Sequence, residues 1–234
     1  MTIKRTNRVI YSVIAKRETE TTDYRGITVR YIGSLPGEKA VFFAYGKGGG
    51  KDERRSVYIS ALEALESGYS IIYTPSLYLS YAVEKAARDT VKGSIYAFCP
   101  MGLGSVKERV ISDSLITGGG AVSIVENDAV FSYEAMLGKD YLASSMCSAV
   151  VMCSFRGRHI PHFVDTALSG GKSLCVLRTG LIYPPLRELV REGAEAVDSF
   201  SSFLSSPSVI AYPHENGIYG IEDARFDIMS TRRK

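Results

Sequence analysis

Four cations crowd one short turn of this sequence. From Tyr45 to Arg55 the chain reads YGKGGGKDERR, which sets Lys47, Lys51, Arg54 and Arg55 around Gly46, Gly48, Gly49 and Gly50. Glycine amides approach a phosphate closely and the cations supply the countercharge, so the combination points to anion binding. The plain alternative is a solvated turn beside a charged helix face, with Asp52 and Glu53 balancing two of the four cations. The turn is not a nucleotidase phosphate loop, because no Ser or Thr follows the lysine as G-x-x-x-x-G-K-[ST] requires. Nor does a G-x-G-x-x-G fingerprint close onto the helix.

A second basic stretch is Arg156-Gly157-Arg158-His159-Ile160-Pro161-His162. Read as a polar helix start, it holds an anion through Arg156 and Arg158. His159, His162 and Asp165 have the chemistry of metal ligands, but Pro161 interrupts an i, i+3 face and only one carboxylate is near. Nucleophilic catalysis finds no support. No serine sits in a G-x-S-x-G elbow, and no cysteine has a histidine neighbour in sequence.

These residues need elements to position them. Before the first turn, Ala40-Val41-Phe42-Phe43-Ala44 is an unbroken apolar run, the pattern of a strand buried on both faces. After it, Val57, Ala61, Leu62 and Leu65 recur at helical spacing, and Gly68 supplies a stop. The alternation then continues. Ser70 to Tyr73 reads as strand, Leu77 to Asp89 as helix, Ser94 to Phe98 as strand, Val106 to Leu115 as helix and Ala121 to Val125 as strand. One helix is expected near Lys139 to Cys147, then a strand at Ala149 to Cys153. His162 to Ser169 as helix and Ser173 to Leu177 as strand complete a compact crossover. Pro184-Pro185 opens a helix through Arg191, Glu195 to Val197 is a short edge strand, and Phe200 to Leu204 a last helical turn.

Five or six buried strands alternating with helices specify a doubly wound, mostly parallel sheet. Its ligand lies beyond the carboxyl ends of the strands. The rim is then expected from Tyr45–Lys51, Thr74–Ser76, Cys99–Gly104, Glu126–Asp128 and Ser154–Pro161. Residues 1–38 read as a prelude packed on the domain, with a mixed apolar piece at Arg8 to Lys16 and a half-buried strand at Ile27 to Ile32. Residues 39–205 form the domain, and residues 206–234 a tail with a strand-like Val209 to Tyr212 and a basic Arg232-Arg233-Lys234 end.

Composition fits a single α/β core. The chain has 234 residues, of which 45% are apolar and 23% charged, and its net charge of +3 decides nothing about nucleic acid unless the cations cluster. The four cysteines (Cys99, Cys147, Cys153, Cys175) lie in apolar runs without C-x₂-C spacing and read as buried reduced thiols. No stretch approaches the ~20 apolar residues of a membrane span, and no cleavage site follows the basic start, so a cytoplasmic location is expected.

One segment is specific. RELVREGAEAVDSFSSFL, Arg187 to Leu204, resembles the closing segment of the DNA-processing protein A (DprA/Smf) family, of the form L-I-R-E-G-A-x-L-V-x-S-x-x-D-I-L. Other landmarks fall in the same order from about Gly26 onward. VRYIGSLPGEKAVFFAYGKG resembles Y-x-x-G-x-L followed by A-V-A-I-V-G-S-R, and SIYAFCPMGL resembles T-I-A-V-L-x-x-G-L. SGYSIIYTPSLYLSYAVEKAA occupies the place of G-x-x-V-V-S-G-L-A-x-G-I-D-x-x-A-H, but has Thr74-Pro75-Ser76-Leu77-Tyr78 instead of the glycine-rich turn with its aspartate. The doubled arginine of P-R-R-N-R-I-I-A-G-L-S is reduced to Lys139 beside Asp140, and Gly157-Arg158-His159 replaces the usual S-G-S/T turn.

The resemblance implies a Rossmann-like sheet with helices on both faces, in a divergent member without the winged-helix tail. It implies single-stranded DNA bound along the rim, a homodimer, and handover of DNA to the recombinase RecA. Residue by residue it supports Lys47 at the first turn and Lys139 in the basic loop. The expected role is non-catalytic, with no cofactor and no membrane. The alternative is a nucleotide-binding or nucleotide-processing enzyme like the lysine-decarboxylase-like phosphoribohydrolases. Against it, Gly118-Gly119-Gly120 lacks the Thr and Glu of P-G-G-x-G-T-x-x-E. A third reading is an interaction protein that retains the scaffold alone.

Overall fold

The structure, a computed structural model, describes residues 18–46, 49–75, 77–156 and 160–205. Its centre is the apolar run seen first in the sequence. Strand β3 (Ala40–Tyr45) is buried along its whole length. Its side chains alternate between two cores: Val41, Phe43 and Tyr45 enter one, and Ala40, Phe42 and Ala44 the other.

Around it the described residues form one nine-stranded sheet in the order β1-β2-β6-β5-β4-β3-β7-β8-β9. The remaining strands are β1 (Glu20–Tyr24), β2 (Ile27–Gly33), β4 (Ser70–Tyr73), β5 (Ile95–Cys99), β6 (Gly120–Ser123), β7 (Ala149–Ser154), β8 (Ser173–Leu177) and β9 (Glu195–Val197). Strands β3 to β9 pair in parallel, and β1 and β2 add an antiparallel hairpin against β6. Helices cover both faces. Core residues of α1 (Lys51–Glu66), α2 (Ser80–Asp89), α3 (Glu108–Ile116) and α7 (Phe200–Leu204) join the first core. Those of α4 (Tyr133–Met146), α5 (Phe163–Ser169) and α6 (Pro184–Arg191) join the second. The protein is a doubly wound, mostly parallel Rossmann-like α/β fold.

Two differences from the sequence reading have physical causes. Helix α4 starts at Tyr133, six residues before the expected Lys139, because the Ser132 hydroxyl caps it by accepting from the Ala135 amide at 3.0 Å. Strand β1 was not anticipated, since ETTDY is polar; it is an outer strand that buries little. A two-residue turn with positive φ at Arg25 (53°) and Gly26 (81°) joins it to β2, the backbone of a type I′ hairpin. The turn Thr117 to Gly120, which holds three consecutive glycines, lies at the amino end of the sheet, beside the start of β5. There a Cβ on Gly119 would stand 2.0 Å from the Ile95 carbonyl oxygen, so these glycines serve backbone packing. The expected elements at Arg8 to Lys16 and Val209 to Tyr212 lie outside the described residues.

Candidate functional site

Strand order locates the crevice. From β3 the chain builds outward through β4, β5 and β6 on one side, then returns to β7, β8 and β9 on the other. The reversal falls between β3 and β7, where open α/β sheets bind ligands at the carboxyl ends of their strands. A register shift between Ala44 and Tyr45 sets Tyr45 opposite Ser154, and the Gly46 amide donates to the Ser154 carbonyl at 2.6 Å. The Tyr45 hydroxyl donates to the Thr74 carbonyl at 3.0 Å, which ties β3 to the next loop of the rim. Further along, the Gly102 and Gly104 amides donate to the carbonyls of Ala129 and Asn127, so the loops after β5 and β6 brace each other.

Helix α1 begins beside this crevice. Glu53 is 5% exposed, and its carboxylate folds back to accept from the Gly50 amide. Two amides of the glycine turn are therefore already occupied. The Gly46 and Gly50 amides are engaged within the protein, and a carboxylate already faces the positive end of the helix. Side-chain charge is what remains. Lys51 and Arg55 are exposed, and Arg54 is half-buried with its guanidinium carbon 5.4 Å from the Tyr78 ring centroid. Among the described residues none of the three has a carboxylate within ion-pair distance. Asp52 and Glu53 therefore do not balance them by contact. Arg156 is likewise exposed and has no carboxylate partner among the described residues, in the loop after β7 that meets Gly46 through Phe155. Lys47, Gly48 and Arg158 lie outside the described residues, as does His159.

Lys139 is a different case. It is 1% exposed, its ammonium donates to the Thr74 hydroxyl and the Asp140 carboxylate, and it stands 5.7 Å from the Phe42 ring centroid. Because α4 starts at Tyr133, Lys139 falls on the inward face with Ala135, Leu142 and Ala143. It belongs to the second core, not to an exposed basic loop. Burial also raises the Asp140 carboxyl above its ordinary range, against the pull of Lys139.

Three buried oxygens near the switch point have no hydrogen-bond partner among the described residues: Glu53 Oε1, Ser154 Oγ and Thr179 Oγ1. The four thiols are buried, and desolvation pushes Cys99 and Cys147 up to about 12, the range of an inert thiol. Among the described residues no three His, Cys, Asp or Glu side chains are grouped to hold a metal. No described helix is long and apolar enough to cross a membrane.

The sequence reading missed Tyr81, Arg88 and Arg109. Tyr81 is 48% exposed, with Arg88 and Arg109 guanidinium carbons 5.6 and 6.0 Å from its ring centroid. The i, i+4, i+7 spacing of Tyr81, Lys85 and Arg88 marks an outer helix face and was a usable signal.

No family model and no curated protein matches this chain. Solved structures do. DNA processing protein A (DprA) from Streptococcus pneumoniae is similar over 86% of this chain and 77% of its own, with 16% identity and a TM-score of 0.66. DNA processing protein A from Helicobacter pylori, solved for its single-stranded DNA binding mode, is similar over 81% and 95%, with 14% identity and a TM-score of 0.62. A molybdenum cofactor binding protein from Rippkaea orientalis is similar over 73% and 95%, with 13% identity and a TM-score of 0.52. At these identities the likeness is one of fold.

Proposed function

We propose that this chain, which has the fold of DNA processing protein A, is a divergent member of that family. It binds single-stranded DNA along the carboxyl rim of the sheet and catalyses no reaction. One observation carries the reading: Lys51, Arg54 and Arg55 leave the first turns of α1 at the switch point without a carboxylate partner among the described residues, and Arg156 is exposed on the facing loop. Unpaired cations of this kind meet a phosphate chain without first breaking an ion pair. Lys47, Gly48 and Arg158 are proposed to belong to the same rim, and Lys139 to support it from below. The proposal extends to a homodimer in the cytoplasm that passes the strand to a RecA-type recombinase.

Phosphate contact makes affinity fall with salt, by ~0.7 log unit per log unit of salt for each phosphate neutralised on a single strand. The test is an anisotropy titration of a labelled thymidine oligonucleotide at two salt concentrations. Lys51→Glu/Arg55→Glu should weaken binding at least tenfold and flatten the salt dependence, with an unchanged thermal midpoint. The matched control is Lys92→Glu/Arg191→Glu, two exposed cations at the amino end of the sheet. Equal losses from both pairs would mean diffuse charge and no rim site. Displacement of the oligonucleotide by micromolar mononucleotide would favour the nucleotide-enzyme alternative.

A further inference from the structure

Three tyrosines lie on or beside α1 and α2. Tyr78 lies in the loop leaving the carboxyl end of β4, Tyr81 is on the first turn of α2, and Tyr58 is on α1. Each has a cation against its ring: Arg54 at Tyr78, Arg88 and Arg109 at Tyr81, and Lys85 at Tyr58, 4.3 Å from the centroid. Tyr58 is closed off, because its hydroxyl donates to Asp89 at 2.7 Å and Lys85 pairs with the same carboxylate. Tyr78 and Tyr81 differ. Both residues are 48% exposed, and among the described residues no hydrogen bond holds either hydroxyl.

The cations beside Tyr78 and Tyr81 differ in their pairing. Among the described residues Arg54 has no acidic partner, whereas Arg88 pairs with Asp113 at 3.0 Å and Arg109 with Glu84 at 2.7 Å. Cationic character is thus free beside Tyr78 and neutralised beside Tyr81. A partner that suits this difference carries negative charge where it meets Arg54 and flat π-faces throughout. Single-stranded nucleic acid has both, and its bases stack on tyrosine and on guanidinium planes regardless of sequence.

We infer that Tyr78 and Tyr81 form a stacking platform, on which the strand continues after leaving the crevice between β3 and β7. This rests on the rim reading above and adds to it a direction and two base-binding stations. Tyr78 acts with Arg54, so base and phosphate are held together there. Tyr81 acts by stacking alone, since its arginines are already paired.

Salt dependence separates the two claims. Tyr78→Ala and Tyr81→Ala should each weaken binding of a thymidine oligonucleotide about tenfold while leaving the salt slope at the wild-type value. Tyr78→Phe and Tyr81→Phe should bind as wild type. The chain has no tryptophan, so Tyr78→Trp or Tyr81→Trp introduces a single indole whose fluorescence a stacked base quenches. Quenching at both positions, saturating with the anisotropy signal, is the expected result. Unquenched indoles together with wild-type affinity in both alanine variants would overturn the platform and leave a salt-dependent rim site standing. Absence of any salt-dependent binding by the wild-type chain would overturn both. Should an alanine change lower the thermal midpoint, the tryptophan readout on the folded variant decides.

Discussion

At the scale of single residues, the sharpest fact is a lysine inside a core. Lys139 has its ammonium under the β4–α2 loop, with Thr74 and Asp140 as partners and almost no solvent. Removing one member of a buried pair leaves the other desolvated and uncompensated, so Lys139→Met is expected to cost about 3 kcal/mol. Lys139→Met/Asp140→Asn should recover part of that loss, because the stranded carboxylate disappears with its partner. Urea midpoints of the two variants and wild type measure it. A Lys139→Met midpoint equal to wild type would mean that the ammonium is solvated and does not support the loop. Glu53 teaches the opposite lesson from the same end of the sheet. Its carboxylate belongs to the helix start it caps, so net charge around the first turn is carried by Lys51, Arg54 and Arg55 on the outside.

At the scale of elements, close backbone approach explains a motif that composition alone makes look functional. Gly118, Gly119 and Gly120 close α3 onto β6 at the end of the sheet away from the crevice. A Cβ at Gly119 would lie 2.0 Å from the Ile95 carbonyl oxygen, where only backbone could yield. A Cβ at Gly118 would meet only the Ser94 hydroxyl, at 3.6 Å, and its difficulty is a φ of 79°. Gly119→Ala should therefore cost about 3 kcal/mol by overpacking. Gly118→Ala should cost about 1 kcal/mol, the strain of the left-handed region. Chemical denaturation of both variants checks the ranking. The reverse order would show that conformational strain, and not contact with β5, makes these glycines necessary.

At the scale of the whole molecule, the open question is how much apolar surface the fold leaves for a second copy. Phe200 is fully buried and packs edge-on against Tyr69, with ring centroids 5.2 Å apart. It fills the protein's own core. Leu204, 44% exposed on α7, is left as the apolar contribution of the closing helix. The proposed homodimer is expected to sediment as a dimer at micromolar concentration. Leu204→Asp should then divide it without lowering the thermal midpoint, since exposed positions contribute little to stability. A monomer at every concentration would remove the dimer, and with it any arrangement in which two rims share one strand.

Much of this architecture was legible in the order of residues. Apolar runs such as Ala40 to Ala44 and Ala149 to Cys153, separated by helical periodicity, determine a parallel sheet, because a strand covered on both faces must be apolar throughout. The rim followed from that order, since ligands gather at the carboxyl ends of such strands. The polar β1 was not legible, because an outer strand that buries little carries no apolar signature. What only the tertiary structure decided is which way side chains turn once the elements meet. Moving the start of α4 by six residues turned Lys139 from a surface cation into a core ammonium. The capping of α1 by Glu53 engaged the Gly50 amide, one of those that the glycine-rich turn offered. Tyr81, Arg88 and Arg109 meet across two helices whose angular placement depends on the packed sheet beneath them. Local pattern specifies elements, but rotation and register are set by contacts distant in sequence, and those contacts assemble the site.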